Sequence, residues 1–381
     1  MTPLAQPVVL RTHCSDGYQD PTGVPGHAAT QRHTPRRACR TAATGASSAF
    51  ATRVLSRAPP GERITPALVE AAKKEGKVNF YTAMEINVAE QFSKLFEAAF
   101  PGIRVKVERS GSERVFSRIA QEYSSKIYNV DFANTTDAAH VYAWKRDGLL
   151  QPYVPADVAE HFPAAHKDQD GTFMTVRILF VAIAYNTEQV KREDAPKGFL
   201  DLLEPKWQGK MVKAHPGYSG AIMTSTFAIA RDLGWEYFEK LAKQKVMQVQ
   251  SAVDPPKKVA LGERAVMADG SDYIALQLKQ KGSPIELVMP VEGAPIINSP
   301  NALFKQAPNP NAARLFYNWF CSAEGQQKLV DVTGQYVPHA QVGPAPGRPP
   351  LKDIKIMKDD PEALLKIADE IKAKYAAIFK V

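Results

Sequence analysis

Thr172-Phe173-Met174-Thr175-Val176-Arg177-Ile178-Leu179-Phe180-Val181-Ala182-Ile183-Ala184-Tyr185 decides the fold. The stretch is almost wholly apolar and β-branched or aromatic, so it reads as one long strand or two strands end to end. No crossover helix interrupts it. A strand of this length is a natural bridge between two lobes. A second extended stretch, Ala294 to Phe304, offers a partner crossing.

On the N-terminal side, strands alternate with helices. Thr65-Pro66 opens a helix that stops at Gly76, and Val78 to Tyr81 follows as a short strand. Asn87 with Glu90 reads as a helix cap, ahead of Val88, Phe92, Leu95 and Phe96 at helical spacing. Ile103, Val105 and Val107 alternate as a strand, and Ser110-Gly111-Ser112 opens the next helix. Val130 to Ala133 and Thr136 to Arg146 repeat the pair. Alternation of this kind predicts parallel sheet with helices on both faces. Beyond the first crossing come strands at Lys210–Lys213, Ala265–Ala268 and Ile285–Met289, with helices between them. An amphipathic helix from Pro361 to Phe379 closes the chain.

The 381 residues exceed one ordinary core and fit two lobes of about 100–200 residues each. The expected division is a tail over 1–63, one lobe over 64–180 plus 296–345, and another over 181–295 plus 346–381. The fold class expected is α/β, two doubly wound lobes joined by two extended crossings. Residues 1–63 carry eight Arg and no Lys against three acids, so they account for most of the net charge of +8. The body is nearly balanced, which argues against a nucleic-acid binder. The tail has no periodicity and is expected to be disordered, and its start to lie downstream or in another frame. No secretory signal is recognisable in it.

Chemistry-bearing motifs are few. No GxSxG, P-loop or HExxH occurs, and Cys321 lies in an aromatic helix pattern, Phe316 to Cys321, where a small buried hydrophobe is the reading. No catalytic residue and no cofactor is expected. Three Ser/Gly-containing helix starts, at Ser112, at Ser219-Gly220-Ala221 and at Ser271, are either plain caps or places where free N–H groups meet an anion. Arg177 is either a surface-facing residue of its strand or a bidentate partner for a carboxylate or phosphonate.

Several motifs, taken in order, resemble the type II periplasmic binding proteins, and among them the ferric-iron class of extracellular solute-binding proteins. They are Phe80-Tyr81-Thr82-Ala83, Tyr185-Asn186-Thr187, Ser219-Gly220-Ala221, Lys281 to Glu286 with Glu292-Gly293, Ala307 to Ala313, and Ser322 to Gln327. The resemblance spans about Ile64 to Val381. It implies a periplasmic protein, a small solute in an inter-lobe cleft, delivery to an ABC permease in the membrane, and a monomer; no nucleic acid is expected as a partner. Ferric-binding relatives place a His, a carboxylate and two adjacent Tyr where this chain has Glu85, Thr136, Asp272 and Tyr273, so one of the four is retained. Glu85, Asp272 and Tyr273 are the set that could still hold a hard cation. The expected ligand is a small organic anion bearing a carboxylate, phosphate or phosphonate, bound by Thr82, Glu85, Ser112, Thr135, Thr136, Arg177, Ser219, Gly220, Ala221, Asp272 and Tyr273. Ferric iron or an iron–anion complex is the alternative, and an enzyme on the same fold is a third.

Overall fold

The computed structural model describes residues 58–381. In chain order the elements are α1 (Pro66–Glu75), β1 (Lys77–Thr82), α2 (Ile86–Ala99), β2 (Arg104–Arg109), α3 (Ser112–Ser124), β3 (Phe132–Asn134), α4 (Ala139–Arg146), β4 (Leu150–Gln151), α5 (Ala156–His161) and β5 (Phe173–Asn186). There follow β6 (Met211–Ala214), α6 (Gly220–Leu233), α7 (Trp235–Lys243), β7 (Met247–Val249), α8 (Asp254–Ala260), β8 (Val266–Ser271), α9 (Asp272–Gln280), β9 (Ile285–Val288), β10 (Ala294–Phe304), α10 (Pro310–Cys321), α11 (Ala323–Thr333), β11 (Ile356–Met357) and α12 (Pro361–Phe379).

The main strand order is β2-β1-β3-β10-β5-β8-β6-β7. The chain forms two α/β lobes joined by two extended crossings. β1 pairs in parallel with β2 and β3, and β6 in parallel with β7 and β8. The crossings β5 and β10 run antiparallel to each other, β10 also to β3 and β4 and β5 also to β8 and β9, while the short β11 pairs with β10 in parallel. The sheet is therefore mixed, where alternation alone predicted parallel strands. β5 is one continuous strand, buried along its whole length. Its first part pairs with β10, and its last part, from Val181, pairs with β8 and β9. Burial on both faces explains why it shows no apolar–polar alternation.

Each lobe has its own apolar centre. In one, aromatic rings of β1, β3, α2 and α10 pack edge to face. Phe316 lies 5.3 Å from Phe80, 4.9 Å from Phe96 and 5.3 Å from Phe132, centroid to centroid. Cutting Phe316 back to Ala is expected to cost about 3–5 kcal/mol, because no flexible neighbour can fill the space. Chemical denaturation measures this; a loss below about 1 kcal/mol would contradict the packing. In the other lobe Tyr237, Phe238 and Leu241 of α7 meet Ile229, Val266 and Tyr375.

Local chemistry shifts some boundaries. The cap of α2 is Glu85, whose carboxylate accepts from the N–H groups of Asn87 at 2.8 Å and Val88 at 3.3 Å. It replaces the Asn87–Glu90 box expected from spacing. α4 begins at Ala139, three residues after Thr136, because Asp137 accepts from the Ala139 N–H and holds a turn there. The disordered-tail expectation falls mainly on residues 1–57, outside the described residues. Residues 58–63 depart from it: Glu62 donates to Val154 O and accepts from the Ala156 N–H, both at 2.8 Å, and so joins the fold. Among the described residues no helix is long and apolar enough to cross a membrane.

Candidate functional site

A small cavity lies where the crossing β5 meets the helix starts. Its walls are Ala83, Gly111, Ser112 and Thr136 from one lobe, Arg177 and Leu179 of β5, and Ser219, Ala221, Ser251 to Val253, Ser271 and Tyr273 from the other. Its volume is about 20 Å³, room for about one water. The lobes are thus closed upon each other.

Three helices point their N-termini at this space. α3 is capped by Gly111, α6 by Ser219 and α9 by Ser271, and none of these caps makes a side-chain hydrogen bond to its helix. The positive ends of three helices, each with backbone N–H groups that no cap side chain satisfies, therefore converge on one spot. Ser112 Oγ lies 2.8 Å from Thr136 Oγ1 and accepts from the Thr136 N–H at 3.0 Å, which fixes both hydroxyls.

Arg177 supplies the charge. It is 1% exposed, so the surface-facing reading is excluded. Its Nε and Nη2 donate to Asn134 Oδ1 at 3.0 and 2.7 Å, and Nη1 to Gln335 Oε1 at 3.4 Å. Among the described residues no carboxylate lies within ion-pair distance of it. Burial pushes its pKa down to about 10, and Tyr273 only partly offsets this. Asn134 is itself pinned: its amide donates to Asn301 Oδ1 at 2.7 Å and to Ser299 Oγ at 3.1 Å, so its carbonyl must face the guanidinium. The result is a buried cation, held by neutral partners, lining a cavity. A charge in that position is costly unless an anion joins it.

Two glycines permit the closeness of the walls. A Cβ on Gly111 would lie 2.1 Å from Tyr218 O, and one on Gly220 would lie 2.8 Å from Ser112 Cβ and 2.7 Å from Asp137 Cβ. Each contact crosses between the lobes.

Of the residues expected at the site, the structure brings Ser112, Thr136, Arg177, Ser219, Ala221 and Tyr273 to the cavity wall. Gly220 stands immediately behind. Four are placed elsewhere. Thr82 Oγ1 accepts from the Met84 N–H and shapes a turn. Thr135 Oγ1 lies 2.9 Å from His140 Nδ1. Glu85 spends its oxygens on the start of α2 and on Lys257, 3.2 Å away. Asp272 accepts from the Phe180 N–H at 3.0 Å and pairs with Arg348. The carboxylates of the suggested cation set are therefore already engaged, and burial raises the pKa of Tyr273, opposing a phenolate. The segment Ser251 to Val253 was not anticipated; its signal was the short Asp254-Pro255-Pro256 helix start beyond it. Cys321 is fully buried away from the cavity among core aromatics, and burial pushes its thiol pKa far up.

A family model described as bacterial extracellular solute-binding protein matches residues 127–360. A probable ABC transporter periplasmic-binding protein, y4fP, of Sinorhizobium fredii is 21% identical over 273 residues, 68% of this chain and 74% of that protein. The fold is similar to that of the periplasmic binding protein AfuA from Actinobacillus pleuropneumoniae, solved with exogenous fructose-6-phosphate bound. The TM-score is 0.73 at 23% identity, over 80% of this chain and 99% of that one. It is also similar to iron-bound HitA from Pseudomonas aeruginosa, with a TM-score of 0.68 at 23% identity, over 79% and 99% of the two chains.

Proposed function

Because the chain belongs to the bacterial extracellular solute-binding protein family, we propose that it captures a small organic anion between its lobes and hands it to the permease of an ABC importer. The observation that carries this reading is Arg177: a fully buried guanidinium with no carboxylate partner among the described residues, at the point where three helix N-termini converge. A phosphate or carboxylate there would neutralise the charge and accept from the free N–H groups. AfuA, with its bound sugar phosphate, supports the phosphate-ester class. The iron of HitA is a weaker guide, since Glu85 and Asp272 are committed to protein partners.

The lobes are taken as 64–180 plus 296–345 and 181–295 plus 346–381. The protein acts as a monomer in the periplasm and carries out no chemistry on its cargo. A cavity of about 20 Å³ cannot admit even a triose phosphate, so the lobes must part for entry and close on a ligand that reshapes the space. Bending in β5 and β10 is the motion this requires.

A thermal-shift screen of phosphate esters, carboxylates, neutral sugars and ferric citrate tests the reading. An anionic ester at about 100 times its Kd should add about 2.7 kcal/mol to stability, while the parent sugar adds nothing. A shift given only by neutral sugars or by ferric salts would overturn it.

A further inference from the structure

α12 spans both lobes. Its C-terminal half is seated in the lobe that holds β6 and α7: Tyr375 and Phe379 pack with Phe238, and Tyr375 OH accepts from the buried Lys213 Nζ at 2.7 Å. Further back along the helix, Leu364 and Ile371 pack against Ala139 of α4, in the opposite lobe. One turn before Tyr375, Lys372 reaches out of its own lobe and lies 2.8 Å from Glu113 Oε2 on α3.

Glu113 is one member of a buried set. Its other oxygen lies 3.1 Å from His140 Nε2, out of line for a good hydrogen bond, and Asp137 Oδ2 lies 3.8 Å from the same nitrogen. Thr135 Oγ1 holds His140 Nδ1, and Phe116 stacks on the ring at 4.4 Å. Burial opposes charge on His140, but the carboxylates of Asp137 and Glu113 outweigh it and raise the imidazole pKa. Lys372 is the remaining charge facing the ring, and exposed Asp369 lies 3.9 Å from its ammonium. With His140 charged, two cations balance two carboxylates inside the set. Glu113 follows Ser112, and Asp137 follows Thr136, so the set stands directly behind the cavity wall.

We propose that Glu113, Asp137, His140 and Lys372 form a clasp by which the C-terminal helix holds the two lobes closed. Opening leaves α12 with the lobe that anchors Tyr375 and Phe379, so Lys372 must withdraw from Glu113. The buried carboxylate would then face His140 alone. The clasp therefore sets how readily the cleft opens and how tightly it retains its cargo. Retention, though not the clasp itself, rests on the ligand-binding reading above.

Hydrogen exchange on the full chain without ligand tests this. The amides of Gly220 to Ile222 stand at a helix start and lack intrahelical acceptors, so closure is what shields them. In Lys372→Met, and separately in Glu113→Gln, these amides should exchange about tenfold faster, the factor that ~1.4 kcal/mol supplies. The amides of Lys374 to Phe379 should keep their wild-type rates, because Met preserves the apolar stem. Wild-type rates at Gly220 to Ile222 in both variants would overturn the clasp, as would faster exchange confined to α12. Since no ligand is present, failure here leaves the anion reading standing, and failure of the ligand screen leaves the exchange result standing.

Discussion

Arg177→Met is expected to remove most or all of the anion-induced stabilisation while leaving the ligand-free protein within about 2 kcal/mol of wild type. The two halves of this expectation have opposite origins. In the ligand-free protein the guanidinium is buried without a counter-charge among the described residues, so an apolar side chain of similar length removes a desolvation cost. Against that gain, Asn134 Oδ1 loses its two donors and retains only Ser299 Oγ, at 3.4 Å. With ligand bound, the same substitution leaves a buried anion without its cation. Truncating one side of a buried, hydrogen-bonded charge pair costs about 2–5 kcal/mol, which is roughly 30-fold to several thousand-fold in Kd. Titration calorimetry with the best ligand from the screen, beside thermal melts of the free proteins, separates the two. Wild-type affinity in the Met variant would remove Arg177 from the site.

Gly111→Ala tests closure. The backbone at Gly111 has φ −62°, which any residue adopts, so the substitution introduces no local strain. What it adds is a methyl group 2.1 Å from the Tyr218 carbonyl oxygen of the other lobe. That oxygen is main chain and cannot swing aside as a long side chain would. The lobes must stay slightly apart, and the helix starts can no longer surround one anion. Overpacking at such a contact costs about 1–3 kcal/mol, so affinity should fall about 5- to 150-fold. The melting midpoint of the free protein should change less, because each lobe keeps its core. Calorimetry together with small-angle scattering reads both effects; unchanged affinity and unchanged dimensions with saturating ligand would show that this contact does not limit closure.

The crossings were legible because burial on both faces leaves a plain sign, an apolar run too long for an ordinary strand. α12 was legible for the matching reason, a polar and an apolar face sustained over nineteen residues. The helix starts at Ser112 and Ser219 were visible from Ser and Gly at the right places, but their convergence was not, since it depends on two lobes meeting. Arg177 had two readings in its strand. The choice between them rests on Asn134 and Gln335, 43 and 158 residues away in sequence. Asp272 was misjudged because its partner, Arg348, stands in the Pro-rich passage near the C-terminus. The capping role of Glu85 was hidden by a competing cap, Asn87, two residues later. Lys372 had no signal at all: a Lys on the polar face of a helix is ordinary until the helix is laid across another lobe.

The position of β10 has a consequence for how the chain is made. It lies between β3 and β5 in the sheet, yet it follows β6 to β9 of the second lobe in sequence. A nascent polypeptide that has emerged only as far as β9 holds β1, β2 and β3 as a fragment with an unpaired edge, and β5 with nothing beside its first half. The sheet begun first is thus completed only after β6 to β9 of the other lobe have been made. Until residue 304 has been synthesised β3 lacks its neighbour on that edge and the first half of β5 lacks its partner strand.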